Sequence, residues 1–179
     1  MKNEKIDPSN AKKGYRNLIL ILLFAVLIIL EKKYFLDIVD VSGKSMNPVL
    51  SNSDTCIETK SLYQISRYDI VVVHADDSYL IKRVIALPDE TIQIKDGKVY
   101  VDSKPLADDV GVEIEDAGCA ADPIQLGKDE YFVLGDNRND SKDSRSFGKV
   151  KAEDVDGKVL FRIFPLNKMT GDFTIKEGT

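Results

Sequence analysis

At 179 residues, with 43% apolar and 31% charged side chains, the chain can bury one sizeable core with appendages, and it shows no repeat or low-complexity tract. The formal charge of −5 is unevenly placed: Lys2, Lys5, Lys12, Lys13 and Arg16 outweigh Glu4 and Asp7 near the start, and an acidic body without a basic stripe excludes nucleic acid as a partner. Two cysteines and one histidine, His74, are too few for a zinc site or a disulfide framework; a single Cys56–Cys119 bond stays open, against the expectation of two separate buried thiols.

Residues 1–13 are polar and charged and are expected to be disordered. They contain Ser9-Asn10-Ala11-Lys12, a formal S-x-x-K match with no strand or pocket around it, which is set aside as chance. Leu18 to Leu30 is uninterrupted apolar sequence; as a helix it covers only about 20 Å of a roughly 30 Å hydrocarbon slab, but 15–36 reaches about 33 Å. Tyr15 and Tyr34 then serve as interfacial aromatics, and Arg16, Lys32 and Lys33 can extend to the headgroups. A buried core helix should carry a polar stripe, and a cleaved leader should be followed by small residues rather than Glu31-Lys32-Lys33-Tyr34-Phe35. An uncleaved anchor is the expectation for 15–36. The basic excess before it points the 1–14 tail to the cytoplasm and residues 37–179 outward.

A β-leaning run, Phe35 to Val41, leads into Ser42-Gly43-Lys44-Ser45-Met46-Asn47-Pro48-Val49-Leu50. Pro48 forbids continued ladder pairing, so Ser45 sits on a corner. This partly matches the nucleophile elbow G-x-S-x-G, with Gly43 in place and Asn47 where the second glycine belongs, and no amphipathic helix follows. On these residues alone an ordinary turn is the commoner reading.

Strands are expected at Cys56-Ile57-Glu58, at 69–74 and at 79–86, the last buried on both faces although it carries Lys82 and Arg83. Alternation groups Lys82 with Leu80 and Val84, and Arg83 with Tyr79, Ile81 and Ile85, without saying which cation is buried. Residues 90–95 and 98–102 flank Asp96-Gly97 as a hairpin with a type I′ turn. Residues 106–129 lose periodicity and are expected to form a small, loop-rich acidic lobe inserted in the body. Strands return at 130–134 and 158–164, the latter ended by Pro165. The expected fold is therefore all-β, an antiparallel sheet body behind one transmembrane helix.

Between those last strands lies Gly135-Asp136-Asn137-Arg138-Asn139-Asp140-Ser141-Lys142-Asp143-Ser144-Arg145-Ser146-Phe147-Gly148. The order D-x-[DN]-x-[DN]-G of a calcium loop fails, and Asn139-Asp140-Ser141 fits the glycosylation sequon, a common chance match. On these residues alone a solvated loop is favoured over a buried network of paired Asp and Arg.

Four blocks in order, 41–50, Arg67-Tyr68-Asp69-Ile70-Val71-Val72, 79–90 and 135–148, behind a candidate anchor, resemble the type I signal peptidases. These are membrane-anchored serine proteases that remove signal peptides from exported proteins. The resemblance runs from about Arg16 to Gly171 and implies Ser45 as nucleophile and Lys82 as general base. It also implies Ser141 as the hydroxyl that positions the lysine amine, Asp143 with Arg145 as the pair holding that segment, and Met46, Leu50 and Ile81 as cleft lining for small substrate residues. Its implied partners are exported preproteins and the lipid bilayer; no metal or cofactor is called for.

Gly43 matches the family's single-anchor branch, which leaves the Ser45 amide as the implied oxyanion donor. Ala86, Asp89 and Glu90 depart from the lysine block's two glycines and aspartate, so Asp89 is expected to strain a turn that wants a positive φ. A serine–lysine dyad needs no histidine, but an unperturbed lysine is neutral in only about one molecule per few thousand at pH 7, so Lys82 must be buried. The rival readings are a non-catalytic tethered domain assisting surface-protein or pilus assembly, and a Ser-His hydrolase using His74.

Overall fold

The computed structural model describes residues 8–61, 63–107 and 113–173, and within the first helix the side chains of 13–28. Helix α1 (Pro8–Tyr34, 27 residues) begins inside the stretch expected to be disordered and stops before the expected end of the anchor, because Leu36 already opens a strand. Residues 1–7 of the expected tail lie outside the described residues. Leu18 to Leu23, Phe24 and Val26 to Ile28 expose their side chains. Among the described residues no helix is long and apolar enough to cross a membrane.

The body is antiparallel β structure. Its strands are β1 (Leu36–Asp40), β2 (Thr55–Thr59), β3 (Ile70–Ala75), β4 (Ser78–Ala86), β5 (Thr91–Lys95), β6 (Lys98–Val101), β7 (Lys104–Pro105), β8 (Ile124–Gln125), β9 (Glu130–Leu134), β10 (Val150–Lys151) and β11 (Val155–Phe164). A four-residue helix, α2 (Ser144–Phe147), lies between β9 and β10. One sheet runs β1-β2-β11-β3-β4-β9-β10, the other β7-β6-β5-β8.

Period-two burial builds both sheets. Cys56 and Glu58 face inward from β2, Ile92 and Ile94 from β5, and Val99 and Val101 from β6. The small sheet packs those four residues against Ile85, Ala86, Phe132 and Leu134 of the large one. The expectation for 79–86 holds only from Lys82 to Ala86; Ser78 to Ile81 are exposed or half-buried. The reason is pairing: β3 meets β4 from Ser78 to Arg83, whereas β9 meets it only between Arg83 and Ala86, so the first half of β4 lies on one neighbour alone.

Asp96 (φ 50°) and Gly97 (φ 71°) form the expected hairpin turn with both central residues left-handed. Asp76-Asp77 and Asp102-Ser103 turn the β3–β4 and β6–β7 hairpins with the same sign of φ and no glycine. The inserted lobe is more ordered than expected: Ile114, Ala120 and Leu126 enter the small sheet's core, and β8 pairs with β5. Residues 108–112 of that lobe lie outside the described residues.

Candidate active site

Ser45 stands on the loop after β1, and the loop is rigid for reasons visible in its own residues. Gly43 takes φ 89°, which a side chain would strain, and its N–H donates to Asn52 Oδ1 at 3.0 Å. Asn47 N–H donates to Lys44 O (3.0 Å) and Leu50 N–H to Met46 O (2.8 Å). Arg162 Nη1 reaches from β11 to Val49 O (2.8 Å) and Asp54 Oδ2 (3.0 Å). Met46 and Leu50 are buried with Val41, Cys56, Ile70, Val72 and Val159. Each such burial contributes about 1.5–3 kcal/mol, so the residue beside the serine is pinned into the core.

Lys82 is 2% exposed, and its Nζ lies 2.8 Å from Ser45 Oγ and 3.0 Å from Ile81 O. Burial lowers its pKa to about 8, against the opposing pull of Asp143 and then Asp136. Burial prevails because neither carboxylate is free. Asp143 takes Arg145 Nε and Nη2 at 2.8 Å each and Gly135 N–H at 3.0 Å, and Asp136 takes Arg83 Nε and Nη2 at 2.7 Å each. Both cations of β4 are therefore buried, Arg83 paired and Lys82 without an acidic partner in contact among the described residues.

The polar loop 135–148 is only partly solvated: Asn139, Asp140, Lys142 and Ser146 are exposed, against the expectation of a solvated loop throughout. Asp136, Arg138, Asp143, Ser144 and Arg145 are all buried, because each acid or guanidinium finds a partner in the loop or on β4. Asn137, whose role the sequence left unassigned, closes the loop on the nucleophile: its N–H donates to Ser45 O at 2.9 Å and its Nδ2 to Lys44 O at 3.3 Å. Its place directly after β9 was the available signal. Gly135 has no room for a side chain, since a Cβ there would collide with Ser141 Oγ and come within 2.5 Å of Ser45 O.

Ser45, Lys82, Asp143 and Arg145 thus converge. Ser141 joins them through Gly135, but its Oγ is buried without a hydrogen-bond partner and does not bond the lysine. Met46 and Leu50, expected to line a cleft, present no surface, being core residues; Ile81 is half-buried on the same cluster. His74 is at the solvent-facing end of β3, its ring 5.2 Å from that of Tyr79. Cys56 is buried and Cys119 exposed, both as free thiols, which corrects the expectation of two buried ones. Asp89 adopts φ 65°, the left-handed turn expected, while Glu90 binds Leu87 N–H (2.7 Å) and Arg67 Nη2 (2.5 Å). Among the described residues no group of three or more His, Cys, Asp or Glu side chains could hold a metal ion.

Residues 15–164 match the family "Signal peptidase, peptidase S26". The chain belongs to that family. It is a serine endopeptidase. It is 32% identical over 163 residues to signal peptidase I P of Bacillus subtilis subsp. natto, covering 83% of this chain and 88% of that one. With the probable signal peptidase I-1 of Synechocystis it shares 31% over 189 residues, 97% and 95% of the two chains. A crystal structure of a signal peptidase I from Enterococcus faecalis V583 is similar at 30% identity and a TM-score of 0.48, covering 55% of this chain and 98% of that one.

Proposed function

We propose that the peptidase cleaves N-terminal signal peptides from exported preproteins after small residues, with Ser45 as nucleophile and Lys82 as general base. The observation that carries this reading is the 2.8 Å separation of Lys82 Nζ and Ser45 Oγ, with the amine buried. Neutral Lys82 accepts the hydroxyl proton as Oγ bonds to the scissile carbonyl carbon, then returns it to the departing amine; the same amine activates the water that releases the acyl group. At pKa about 8, about one molecule in ten holds the neutral amine at pH 7. The Ser45 N–H is the proposed oxyanion donor, Ile81 O and Ser45 Oγ hold the amine, and Asp143 with Arg145 is the proposed support of the segment that carries Ser141.

The half of β4 from Ser78 to Lys82 has β3 as its one ladder neighbour among the described residues, an edge on which an extended precursor can pair. Its small side chains would lie over Ile81, above the packed floor of Met46 and Leu50. Residues 15–34, the helical part of the expected 15–36 span, are proposed as the anchor, with the N-terminus cytoplasmic and the body outside, supported by the unbroken exposed apolar run in α1.

The test is precursor cleavage by Ser45→Ala, Lys82→Ala and His74→Ala forms in parallel, with the wild type followed across pH. Loss of at least about a hundredfold in the first two, wild-type rate in the third and a limb rising through pH about 8 are expected. Activity in Lys82→Ala together with its loss in His74→Ala would replace this reading by a Ser-His one.

A further inference from the structure

We propose that Asn139 is a positioning residue for the base: its carboxamide clasps the acidic segment 113–119 of the inserted lobe onto the loop carrying Ser141, Asp143 and Arg145, and so steadies one wall of the lysine's site. This rests on the Ser45–Lys82 reading and adds to it a brace between the fourth sequence block and segment 113–119, which lies outside the four. Asn139 Oδ1 accepts from Glu115 N–H and its Nδ2 donates to Glu113 O, both at 3.1 Å, so one side chain completes the missing backbone partners of a short extended segment. A carboxamide offers an acceptor and a donor at this spacing; a carboxylate would face the Glu113 carbonyl with no proton to give. The sequon's asparagine is thus engaged within the fold.

Three contacts continue the brace along the loop. Arg145 Nη1 donates to Asp116 O at 3.1 Å, and Cys119 Sγ donates to Ser144 O at 3.2 Å. Gly118, at φ 53°, lies so close to the Arg145 carbonyl that a Cβ would collide with it. On its other side the loop is tied to the nucleophile by Asn137 N–H on Ser45 O and to β9 by Val133 N–H on Ser144 Oγ at 3.0 Å. The loop is held between the acidic segment and the dyad. Between segment and loop a cavity of about 160 Å³ remains, lined by Glu115, Asp116, Arg138, Asn139, Ser141 and Arg145. Releasing the clasp widens this polar cleft, already open on one side, immediately behind Ser141. The charged groups bearing on Lys82 are Asp143 from this loop and Asp136 from its start, each held by its own guanidinium, Arg145 and Arg83.

The test uses the full chain and compares wild type with Asn139→Ala, which opens the clasp, and Gly118→Ala, which forces the segment off α2 from a different point. Both are expected to lower kcat about fivefold with KM unchanged, and to move the ionisation limb to higher pH as water reaches the lysine. The Glu115 amide should exchange its hydrogen faster in Asn139→Ala. The proposal is overturned if both variants keep the wild-type kcat and limb, if activity falls only with the folded fraction while the limb stays, or if Glu115 exchange is unchanged. A wild type that cleaves no precursor, or a fully active Lys82→Ala, would instead overturn the dyad, and the amide exchange would still decide the clasp.

Discussion

At the scale of single residues, Lys82 sets function against stability. Its pKa in the fold, about 8, lies below the ordinary lysine value of 10.5, so the folded state holds the proton less tightly than the unfolded chain. Below pH about 8 both states are protonated and the penalty of about 3 kcal/mol is fully present; as pH rises from about 8 to 10.5 the unfolded chain alone keeps the proton, and stability recovers. Lys82→Met, similar in volume and uncharged, should therefore unfold about 2–3 kcal/mol harder than wild type at pH 7, and less than about 1 kcal/mol harder near pH 10. Denaturant midpoints at the two pH values check this, and equal midpoints would mean that the amine is not held against its charge. The identities of Ser45, Lys82, Asp143 and Arg145 were legible because each sits in a block whose order is specific. Their surroundings were less so. Charged residues are mostly exposed, which made the loop 135–148 read as solvated, and the pairing that buries it joins Arg83 to Asp136 across 53 positions of sequence.

At the scale of elements, strands were legible wherever burial alternates, as in β2, β5 and β6, while the β3–β4 turn was hidden because Asp76-Asp77 lacks the glycine that marked Asp96-Gly97. What no periodicity reports is the chemistry of an inward-facing position. On β2 the inward residue after Cys56 is Glu58, 3% exposed, with Oε2 lacking a hydrogen-bond partner. It faces Asp156 of β11 and lies near Asp37 of β1, with Lys60 Nζ 3.7 Å from Glu58, 2.9 Å from Asp156 and 3.2 Å from Asp37. Burial first, and Asp156 second, push its pKa up to about 7. A carboxyl raised from 4.5 to about 7 gains its proton on folding, so stability is full below pH about 4.5 and is lost as pH climbs through about 7. Glu58→Gln keeps the shape, removes the charge and can donate to Asp156. It should stabilise the fold by about 2–3 kcal/mol at pH 8 and by less than about 1 kcal/mol at pH 5. Thermal unfolding at both pH values measures the difference; a gain independent of pH would mean that Glu58 is not held protonated.

At the scale of the whole molecule, the exposed apolar surface of α1 and the acidic sheet body call for different surroundings, and β1 starts two residues after the helix ends, so neither can be placed far from the other. Eleven apolar side chains in unbroken order, 18–28, are costly to hold exposed in water. If α1 anchors the protein, two charges at its centre should be intolerable. Arginine there costs about 2.5–3.5 kcal/mol per residue, so the full chain carrying Leu22→Arg and Leu23→Arg should leave vesicles that wild type accompanies through flotation and alkaline washing. The dyad's bonds and packing involve no residue of α1, so the variant should still cleave a soluble peptide bearing the cleavage site at the wild-type rate. It should lose only its advantage on a precursor embedded in the same vesicles, because tethering enzyme and substrate to one surface raises their effective concentration without any new contact. A variant that floats as wild type does would assign membrane attachment elsewhere, and one that loses peptide cleavage as well would mean that α1 also supports the catalytic body.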